Sequence, residues 1–372
     1  MRKTWAIYAV LAALLMVAQL VAQFERPRPQ GVRPGINVGH FRNSWQVLEP
    51  ITRGNLSIYP VVSALEVDTS QFLTLDEGLA SGAVRITERG QLGRGMVRRR
   101  PEPEWPRPVE PAVDSGASVN ELVLVNSSSQ PLLLLAGEVV SGGKQNRIIG
   151  ADVVVPPHSE PIPLTVFCVE HGRWSEGGAG FGATKAMAHP GIRKEAQVHQ
   201  SQQGVWDSVA RSVAQLGAAA PTQSYLDALG SPKAKRELEQ FAGAFQADYE
   251  RELRTKLQGR EAVGVIVAIN GELVWSDVFP TSDLFLKYWP KLLRSYVLEA
   301  EGCGREVKSV PSAKQALAYL LEDMGHVSIK TEPGAYRRTE ISAEAYKIVV
   351  LEALAKPGTG GLLAHYNKMA LG

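Results

Sequence analysis

Residues 132–174 constrain the fold most, because two apolar runs in this stretch each lead directly into a group of polar side chains. The runs are residues 132–135 and residues 162–169. Short continuous apolar runs favour strands that are buried in a sheet. Buried strands hold the side chains at their ends in fixed positions, so the polar residues that follow them predict a functional site.

The polar groups after the two runs supply the candidate site residues. Glu138 and Glu170 are candidates for a catalytic acid and base, because paired carboxylates can exchange protons with a substrate. The remaining candidates are ligand-binding side chains, and the arginines among them can bind a carboxylate or phosphate through two parallel hydrogen bonds. These ligand-binding candidates are Lys144, Gln145, Asn146, Arg147, Arg173 and Trp174.

The same residues also have a structural interpretation. Glu138 and Glu170 would then pair with Arg147 and Arg173 in buried salt bridges. Trp174 would pack in the core. Solvent access separates the two interpretations, since a binding site requires Glu138 and Arg173 to line one open concavity.

Several catalytic and metal-binding motifs are absent from the sequence. Residues 137–144 are one residue too long for a phosphate-binding loop, and Gln145 stands where a serine or threonine is required. Cys168 and Cys303 do not form a zinc pattern, and we predict that they are unpaired. A nucleophilic pair of Cys168 and His171 is disfavoured, because residues three apart on a strand point to opposite faces. We predict no metal site, and the cofactor is unknown.

The N-terminal residues predict export. Two basic residues precede an apolar run at residues 5–22, which is the layout of a secretory signal cleaved after Ala22. The run is also long enough for a membrane anchor, which takes about 20 residues. We expect a signal peptide or anchor at residues 1–22 and a linker at 23–44. The folded part would be periplasmic or extracellular, and tethered by residues 5–22 if the leader is retained.

The charge balance restricts the partners. Residues 1–22 hold two of the 40 basic residues and none of the 38 acidic residues, so the remaining chain has no net charge. A neutral chain gives no electrostatic support for binding nucleic acid. It gives none for an anionic membrane surface either, so we expect membrane contact only through an uncleaved leader. A small anionic ligand is the expected partner, and the sequence names no protein partner.

The order of the predicted elements indicates the fold class. Strands dominate the first half of the chain and helices the second half, with little alternation between them. This pattern predicts an α+β fold in which a strand-rich N-terminal half, an antiparallel sheet or sandwich, packs with a helix-rich C-terminal half. We expect one globular domain at residues 45–365.

Local patterns in the first half predict individual elements. Thr74 can cap a short helix at residues 75–80. Residues 120–136 are expected to form a hairpin that turns at residues 126–130. The glycine-containing residues 175–200 have no regular period and predict a long loop.

In the second half, Asn270-Gly271 separates two apolar runs and predicts a two-residue hairpin turn. Apolar residues at helical spacing predict helices at residues 282–298 and 313–321.

Four segments of the chain resemble the ARPP family, the ADP-ribosylglycohydrolase- and rhodanese/phosphatase-associated protein domain. AGEVVSGGKQNR at residues 136–147 and CVEHGRW at residues 168–174 carry most of the resemblance, and residues 201–210 and 264–296 add to it. The resemblance covers residues 45–365. It implies no established activity, because the family name records genomic neighbours linked to NAD and ADP-ribose metabolism. The positions that match its motifs are Glu138, Gln145, Asn146, Arg147, Glu170, Gly172, Arg173 and Trp174.

Three functional hypotheses follow. The first is an exported ligand-binding module of the cell envelope, with a polar site for an anionic or nucleotide-sugar-like ligand. The second is a hydrolase of ADP-ribose-like or other phosphorylated substrates, with Glu138 or Glu170 as general base. The third is a structural or protein-interaction domain whose polar clusters brace the core. The sequence does not decide whether the protein is an enzyme.

Overall fold

The computed structural model describes residues 39–89, 120–172, 180–217, 223–257, 260–304, 309–332, 334–354 and 361–372. Strands dominate the first half and helices lie mainly in the second half, so the predicted α+β class is confirmed. The second half nevertheless supplies six of the nine described strands of the largest sheet.

The elements in the described residues are numbered along the chain. The strands are β1 (Gln46–Val47), β2 (Ile51–Arg53), β3 (Leu56–Ser63), β4 (Leu73–Thr74), β5 (Val84–Glu88), β6 (Glu121–Asn126), β7 (Leu132–Leu134), β8 (Glu138–Gly142), β9 (Arg147–Ile149), β10 (Val153–Val155), β11 (Ile162–Cys168), β12 (Phe181–Met187), β13 (Glu261–Ile269), β14 (Glu272–Val278), β15 (His326–Glu332), β16 (Tyr336–Ser342), β17 (Tyr346–Ala353) and β18 (Leu362–Ala370). The helices are α1 (Gly39–Ser44), α2 (Leu75–Ala80), α3 (Pro190–Lys194), α4 (Gln202–Gln215), α5 (Tyr225–Gly230), α6 (Pro232–Leu257), α7 (Ser282–Gly302) and α8 (Ala313–Leu321), with a π-helical turn at Glu195–His199.

The described strands form three sheets. The largest has the order β1-β3-β13-β14-β18-β17-β16-β15, and β2 also pairs with β3. A six-stranded sheet has the order β12-β8-β9-β11-β6-β5, and a three-stranded sheet has the order β10-β7-β4. The pairing of β4 with β7 is parallel, and the other pairings are antiparallel.

Helix α7 packs against the largest sheet and forms the centre of the main core. Its predicted stripe of Leu284, Tyr288, Leu292 and Tyr296 is buried in one cluster with Val265 and other residues of β13. Burial of a large apolar side chain contributes about 1.5–3 kcal/mol, so this stripe fixes α7 firmly on the sheet. Helix α7 also carries charged side chains that contact other elements, among them Lys291.

Several local predictions are confirmed. Helix α2 spans the predicted residues 75–80, and Thr74 caps it in a reciprocal capping box with Glu77. Asn270 and Gly271 form the hairpin turn between β13 and β14 with positive φ angles of 53° and 82°. Helix α8 has the predicted bounds.

Two predictions about the first half are wrong. Strands β6 and β7 do not form a hairpin, because β6 pairs with β5 and β11 while β7 pairs with β4 and β10. The Asn126 side chain explains the difference, since it donates hydrogen bonds to the carbonyl oxygens of Gln130 and Pro156 and stabilises a wider connection.

The long loop predicted at residues 175–200 is wrong for residues 180–200, which form β12, α3 and the π-helical turn. Strand β12 lacks an apolar alternation, and backbone pairing with β8 holds it instead. Residues 175–179 lie outside the described residues.

Other predictions also fall outside the described part of the chain, namely the leader at residues 1–22, most of the linker, Arg173 and Trp174. Within the described residues, no helix combines the length and apolar character needed to cross a membrane. Over the same residues, no group of three or more His, Cys, Asp or Glu side chains is arranged to hold a metal ion.

Candidate functional site

The described site candidates do not line one open concavity. Glu138, Gln145, Asn146, Arg147 and Glu170 are all buried. They lie on or beside β8, β9 and β11 of the six-stranded sheet, whereas the apolar run at residues 132–135 forms β7 of the three-stranded sheet. What each residue can do therefore depends on its buried contacts.

Glu138 is held by a cation from a distant part of the chain. Lys291 of α7 places its Nζ 2.5 Å from Glu138 Oε1 and 2.7 Å from Asp76 Oδ2. The other carboxylate oxygen of Glu138 accepts a hydrogen bond from the backbone N–H of Leu135 at 2.7 Å. Glu138 thus links β8 to α7, rather than pairing with an arginine of its own motif.

The pKa shifts of this pair follow from burial and charge. Burial raises the pKa of the Glu138 carboxyl, against the lowering effect of Lys291. Burial alone would lower the pKa of Lys291, but the carboxylates of Glu138 and Asp76 outweigh it and raise that pKa. Lys291 therefore remains an ammonium ion at neutral pH.

Arg147 lies beside a tight glycine turn. Gly142 and Gly143 both have positive φ, and a Cβ on Gly143 would lie 2.6 Å from Glu88 Oε1. The close turn lets Glu88 accept a hydrogen bond from the Lys144 N–H at 3.0 Å and approach within 3.9 Å of the Arg147 guanidinium. The Nε of Arg147 has no hydrogen-bond partner among the described residues.

Glu170 also contacts the backbone of residues 136–147, which we call the first motif. Its Oε2 accepts a hydrogen bond from the Asn146 N–H at 3.2 Å. The Asn146 amide in turn lies 3.4 Å from the Ser224 hydroxyl. No described contact joins Glu138 to Glu170, so the structure gives them separate environments.

Cys168 is buried in β11, and neither Cys168 nor Cys303 forms a disulfide. Burial raises the pKa of the Cys168 thiol to about 11, although Arg147 acts in the opposite direction. The thiol is therefore protonated at neutral pH. The exposed His171 ring packs edge-on against Trp206 at 4.5 Å.

A second set of buried charges was not predicted from the sequence. Asp277 of β14 accepts two hydrogen bonds of 2.9 Å from the Arg193 guanidinium. His365 of β18 lies 3.1 Å from Asp277 through Nε2 and 2.7 Å from Asp152 through Nδ1. We call Asp152, Arg193, Asp277 and His365 the buried charge cluster.

The buried charge cluster is neutral as a whole. Burial would lower the pKa of His365, but Asp152 and Asp277 outweigh it and raise the pKa to about 9. At neutral pH the cluster thus contains two carboxylates and two cations. Tyr296 also donates a hydrogen bond to Asp277, and Trp275 does so at 3.0 Å.

The first motif makes room for this cluster. A Cβ on Gly137, which has a φ of 92°, would lie 2.5 Å from Arg193 Cγ. The neighbouring Ala136 accepts a hydrogen bond from Arg193 Nε and donates its N–H to Asp152. Residues 136–138 therefore support the core on both sides of the turn.

A further buried series has the order of a serine-hydrolase triad. The Ser212 hydroxyl lies 2.5 Å from His189 Nε2, and His189 Nδ1 contacts Glu299. Ser212 is only 2% exposed, and its hydroxyl also lies 2.9 Å from the Ser208 carbonyl within α4. A nucleophile needs access to its substrate, so we interpret this series as a link between α4 and α7.

An open cleft brings four basic side chains together. The cleft has a volume of about 260 Å³ and lies between β12, α5, α6 and α7. Its basic side chains are Lys185, Lys235, Lys291 and Arg294, and its one acidic side chain is Glu239. We call this feature the cationic cleft. Leu226 and Leu229 are among the side chains of its apolar wall.

Three of the four cations are unpaired. Lys291 is engaged by Glu138 and Asp76. Within the described residues, Lys185, Lys235 and Arg294 have no side-chain hydrogen bond or ion pair. All three side chains are exposed. The cleft therefore has an excess of available positive charge next to apolar surface.

Lys185 is presented by a strained backbone. Its φ is 52°, in the left-handed region, and it lies in a register shift of β12 against β8 between Ala183 and Met187. Irregularities of this kind redirect a side chain and are frequent beside binding sites. A left-handed conformation at a residue other than glycine costs on the order of 1 kcal/mol and is found preferentially at functional positions.

Two larger clefts are less selective in charge. One of about 730 Å³ lies between β10, β11 and the β15–β16 hairpin, and it balances Lys330 and Arg338 with Glu160 and Glu332. The other, of about 380 Å³, is lined by Glu272, Glu299, Lys194 and Cys303. Neither concentrates charge of one sign.

The sequence did not indicate most of these residues. Lys185 lies in the segment predicted to be a loop, and Lys291 and Arg294 lie in a helix whose apolar stripe alone was interpreted. One signal was available for Lys291, since it follows Tyr288 by three residues and so lies beside the apolar stripe of α7, where a lysine is unusual. Nothing local to Asp277 or His365 pointed to the buried charge cluster.

Fold and side chains together define an α+β domain with a balanced buried charge cluster and an open cationic cleft. A family model matches residues 44–366, and it is described as ARPP-1, the ARG and Rhodanese-Phosphatase-superfamily-associated Protein domain. The chain belongs to this family. Searches of curated proteins and of solved structures gave no significant match.

Proposed function

We propose that this domain binds a small anionic molecule in the cationic cleft. The observation that carries the proposal is the convergence of three unpaired cations, Lys185, Lys235 and Arg294, on one open cleft. A phosphate or carboxylate group would meet them as a charge-assisted hydrogen-bond partner. The proposal keeps the anionic ligand expected from the sequence and moves its site away from Arg147.

The apolar side chains that line the cationic cleft narrow the class of ligand that would fit. Leu226 and Leu229 supply apolar surface beside the cations. Binding sites for small molecules combine such surface with a few polar groups that fix orientation. The ligand class that fits is therefore a phosphorylated or carboxylated molecule with an apolar or aromatic part.

Binding is better supported than hydrolysis. A general base must reach the proton that it abstracts. Glu138 lies beneath the cleft with both oxygens engaged by Lys291 and the Leu135 N–H. Its arrangement positions Lys291 at the cleft rather than activating a water molecule.

The test begins with a thermal-shift screen of the full chain. The probes are inorganic phosphate, pyrophosphate, phenyl phosphate, ADP-ribose, NAD and dicarboxylates. A ligand at about 100 times its Kd stabilises the folded state by roughly 2.7 kcal/mol, which is readily detected. We expect phenyl phosphate to give a larger shift than inorganic phosphate, because only the former contacts the apolar wall.

Calorimetric titration of the best probe then locates the site. Loss of a charge-assisted hydrogen bond costs about 1.5–3 kcal/mol, so Arg294→Gln and Lys185→Gln should each weaken binding about tenfold or more. Lys314→Gln is the matched control, because Lys314 is exposed on α8 and does not line the cleft. Equal affinity in all variants, or a panel without any shift, would contradict the proposal.

The proposal includes the location expected from the sequence. A leader at residues 1–22 would deliver the domain to the cell envelope, where the cleft would capture a ligand outside the cytoplasm. N-terminal sequencing of the protein recovered from an envelope fraction tests this part, and recovery in the cytoplasm with the leader intact would contradict it.

A further inference from the structure

Among the described residues, strand β15 forms one edge of the largest sheet. It pairs with β16 on one side over seven continuous residues. On its other side, the described part of the chain supplies no strand. An antiparallel strand directs alternate N–H and C=O groups to each side, so this edge offers backbone groups for a further strand.

The edge lacks most features that prevent pairing. Natural edge strands are blunted by shortness, bulges, proline or charge. Strand β15 contains no proline and shows no shift of register against β16. Lys330 is its only lysine. The opposite edge of the same sheet differs, because β1 is only two residues long.

The face of β15 that includes Ile329 is exposed and β-branched. Ile329 is 44% exposed, and Val327 and Thr331 share its face. Such side chains favour cross-strand packing. Exposure of this row is unusual for a strand in a large sheet, and a second strand beside it would cover part of the row.

We propose that β15 pairs with β15 of a second copy of this chain, antiparallel and centred on Ile329. In that register His326 of one copy lies opposite Glu332 of the other, and Ser328 lies opposite Lys330. A register centred on Ser328 would oppose His326 to Lys330, and one centred on Lys330 would oppose two lysines. The register centred on Ile329 therefore opposes no like charges and sets a hydrogen-bonding imidazole against the Glu332 carboxylate, so β15 is complementary to a second copy of itself in this register.

The pairing joins two nine-stranded sheets across a two-fold axis, which is the most common symmetry of protein dimers. An edge of seven residues makes a small interface, so the dimer is reversible. This inference is independent of the anionic ligand. Lys330 and Glu332 also line the 730 Å³ cleft, which places that cleft beside the dimer axis.

Sedimentation velocity of the full chain over roughly 1–200 µM tests the dimer. We expect the mass to rise from 40.3 kDa toward twice that value. Ile329→Lys places two like charges at the axis and should keep the protein monomeric over the whole range. Leu286→Lys is the matched control, since it makes the same change at an exposed apolar residue of α7 and should leave dimerisation intact.

A charge exchange tests the register. His326→Glu should weaken dimerisation, because it opposes two carboxylates. Combining His326→Glu with Glu332→Lys should restore it. A monomer at every concentration, a dimer that survives Ile329→Lys, or a double variant no better than His326→Glu would each overturn the proposal. Circular dichroism confirms that the variants, all at exposed positions, remain folded.

Discussion

The buried charge cluster and the cationic cleft use the same kinds of side chain for opposite purposes. In the cluster, Asp277 has five partners, including the bidentate Arg193, and all four charged residues are inaccessible to solvent. In the cleft, Lys185 and Arg294 are exposed and unpaired within the described residues. A buried charge requires a partner inside the protein, whereas an exposed charge beside apolar surface is available to bind a ligand from solution.

Lys291 connects the two kinds of environment. Its ammonium group is buried and paired with Glu138 and Asp76, yet its side chain lines the cationic cleft. We therefore expect the ion pair of Lys291 with Glu138 and Asp76 to support the cationic cleft without itself binding the ligand. Variants that break one region and leave the other intact test this division.

The largest expected effect comes from the buried charge cluster. Asp277→Asn leaves Arg193 buried without its carboxylate and His365 with Asp152 alone, so we expect a loss of about 3–5 kcal/mol in the free energy of unfolding. Urea denaturation measures it. Asp248→Asn is the control, because the ion pairs of Asp248 with Arg53 and Arg251 are on the surface, and its unfolding midpoint should barely change. Similar midpoints for both variants would contradict the role of the cluster.

The pH dependence of stability is the next largest effect. The pKa of His365 is raised from 6.5 to about 9, so its contribution is fully present below pH 6.5 and is lost as the pH rises through about 9. The difference in unfolding free energy between wild type and His365→Gln should therefore shrink by about 3 kcal/mol across this window. Urea denaturation at several pH values measures the difference, and a constant difference would show that His365 is not charged in the fold.

Glu138→Gln separates a structural role of Glu138 from a role in ligand binding. The change removes one of the two carboxylates at Lys291, and we expect a loss of about 2 kcal/mol in stability because a buried charge loses a partner. The cations that meet the ligand remain, so the affinity for the best anionic probe should change less than in Arg294→Gln. Thermal denaturation and calorimetric titration of the same preparation give both values. Unchanged stability together with lost binding would place Glu138 in the site itself.

The smallest effect is also the most specific. Lys185→Gly relieves the left-handed conformation at φ 52°, so the free energy of unfolding should rise by up to about 1 kcal/mol. The same change removes a cation from the cleft and should weaken anion binding. Gain of stability with loss of affinity is the signature of a strained functional residue. A less stable variant that binds normally would show that the bend is structural.

The fold was predictable where short-range chemistry decides it. The capping box of Thr74 and Glu77, the Asn270-Gly271 turn and the apolar stripe of α7 act over a few residues and were identified from the sequence. Pairing of β6 and β7 was mispredicted, because neighbouring strands in sequence can join different sheets. Strand β12 was missed, because backbone pairing rather than apolar alternation defines it.

The site was less predictable, because its partners are distant in sequence. Glu138 was selected from the sequence as a catalytic candidate, but its ion-pair partner Lys291 is 153 positions away. His365 and Asp152 are separated by 213 positions. Spacing rules do not reach such distances, and the strain at Lys185 exists only after β12 pairs with β8. The sequence therefore singled out charged residues as site candidates without showing which of them are paired with each other.

Hydrogen–deuterium exchange of the full chain, with and without a saturating concentration of the best anionic probe, tests directly whether the ligand binds in the cationic cleft. We expect added protection within residues 184–187 and 225–239, which contain the residues of β12, α5 and α6 that line the cationic cleft. Residues 142–147 around Arg147 should exchange at the same rate in both conditions. Protection at residues 142–147, without any at the cleft, would place the ligand beside Arg147 and contradict binding in the cationic cleft.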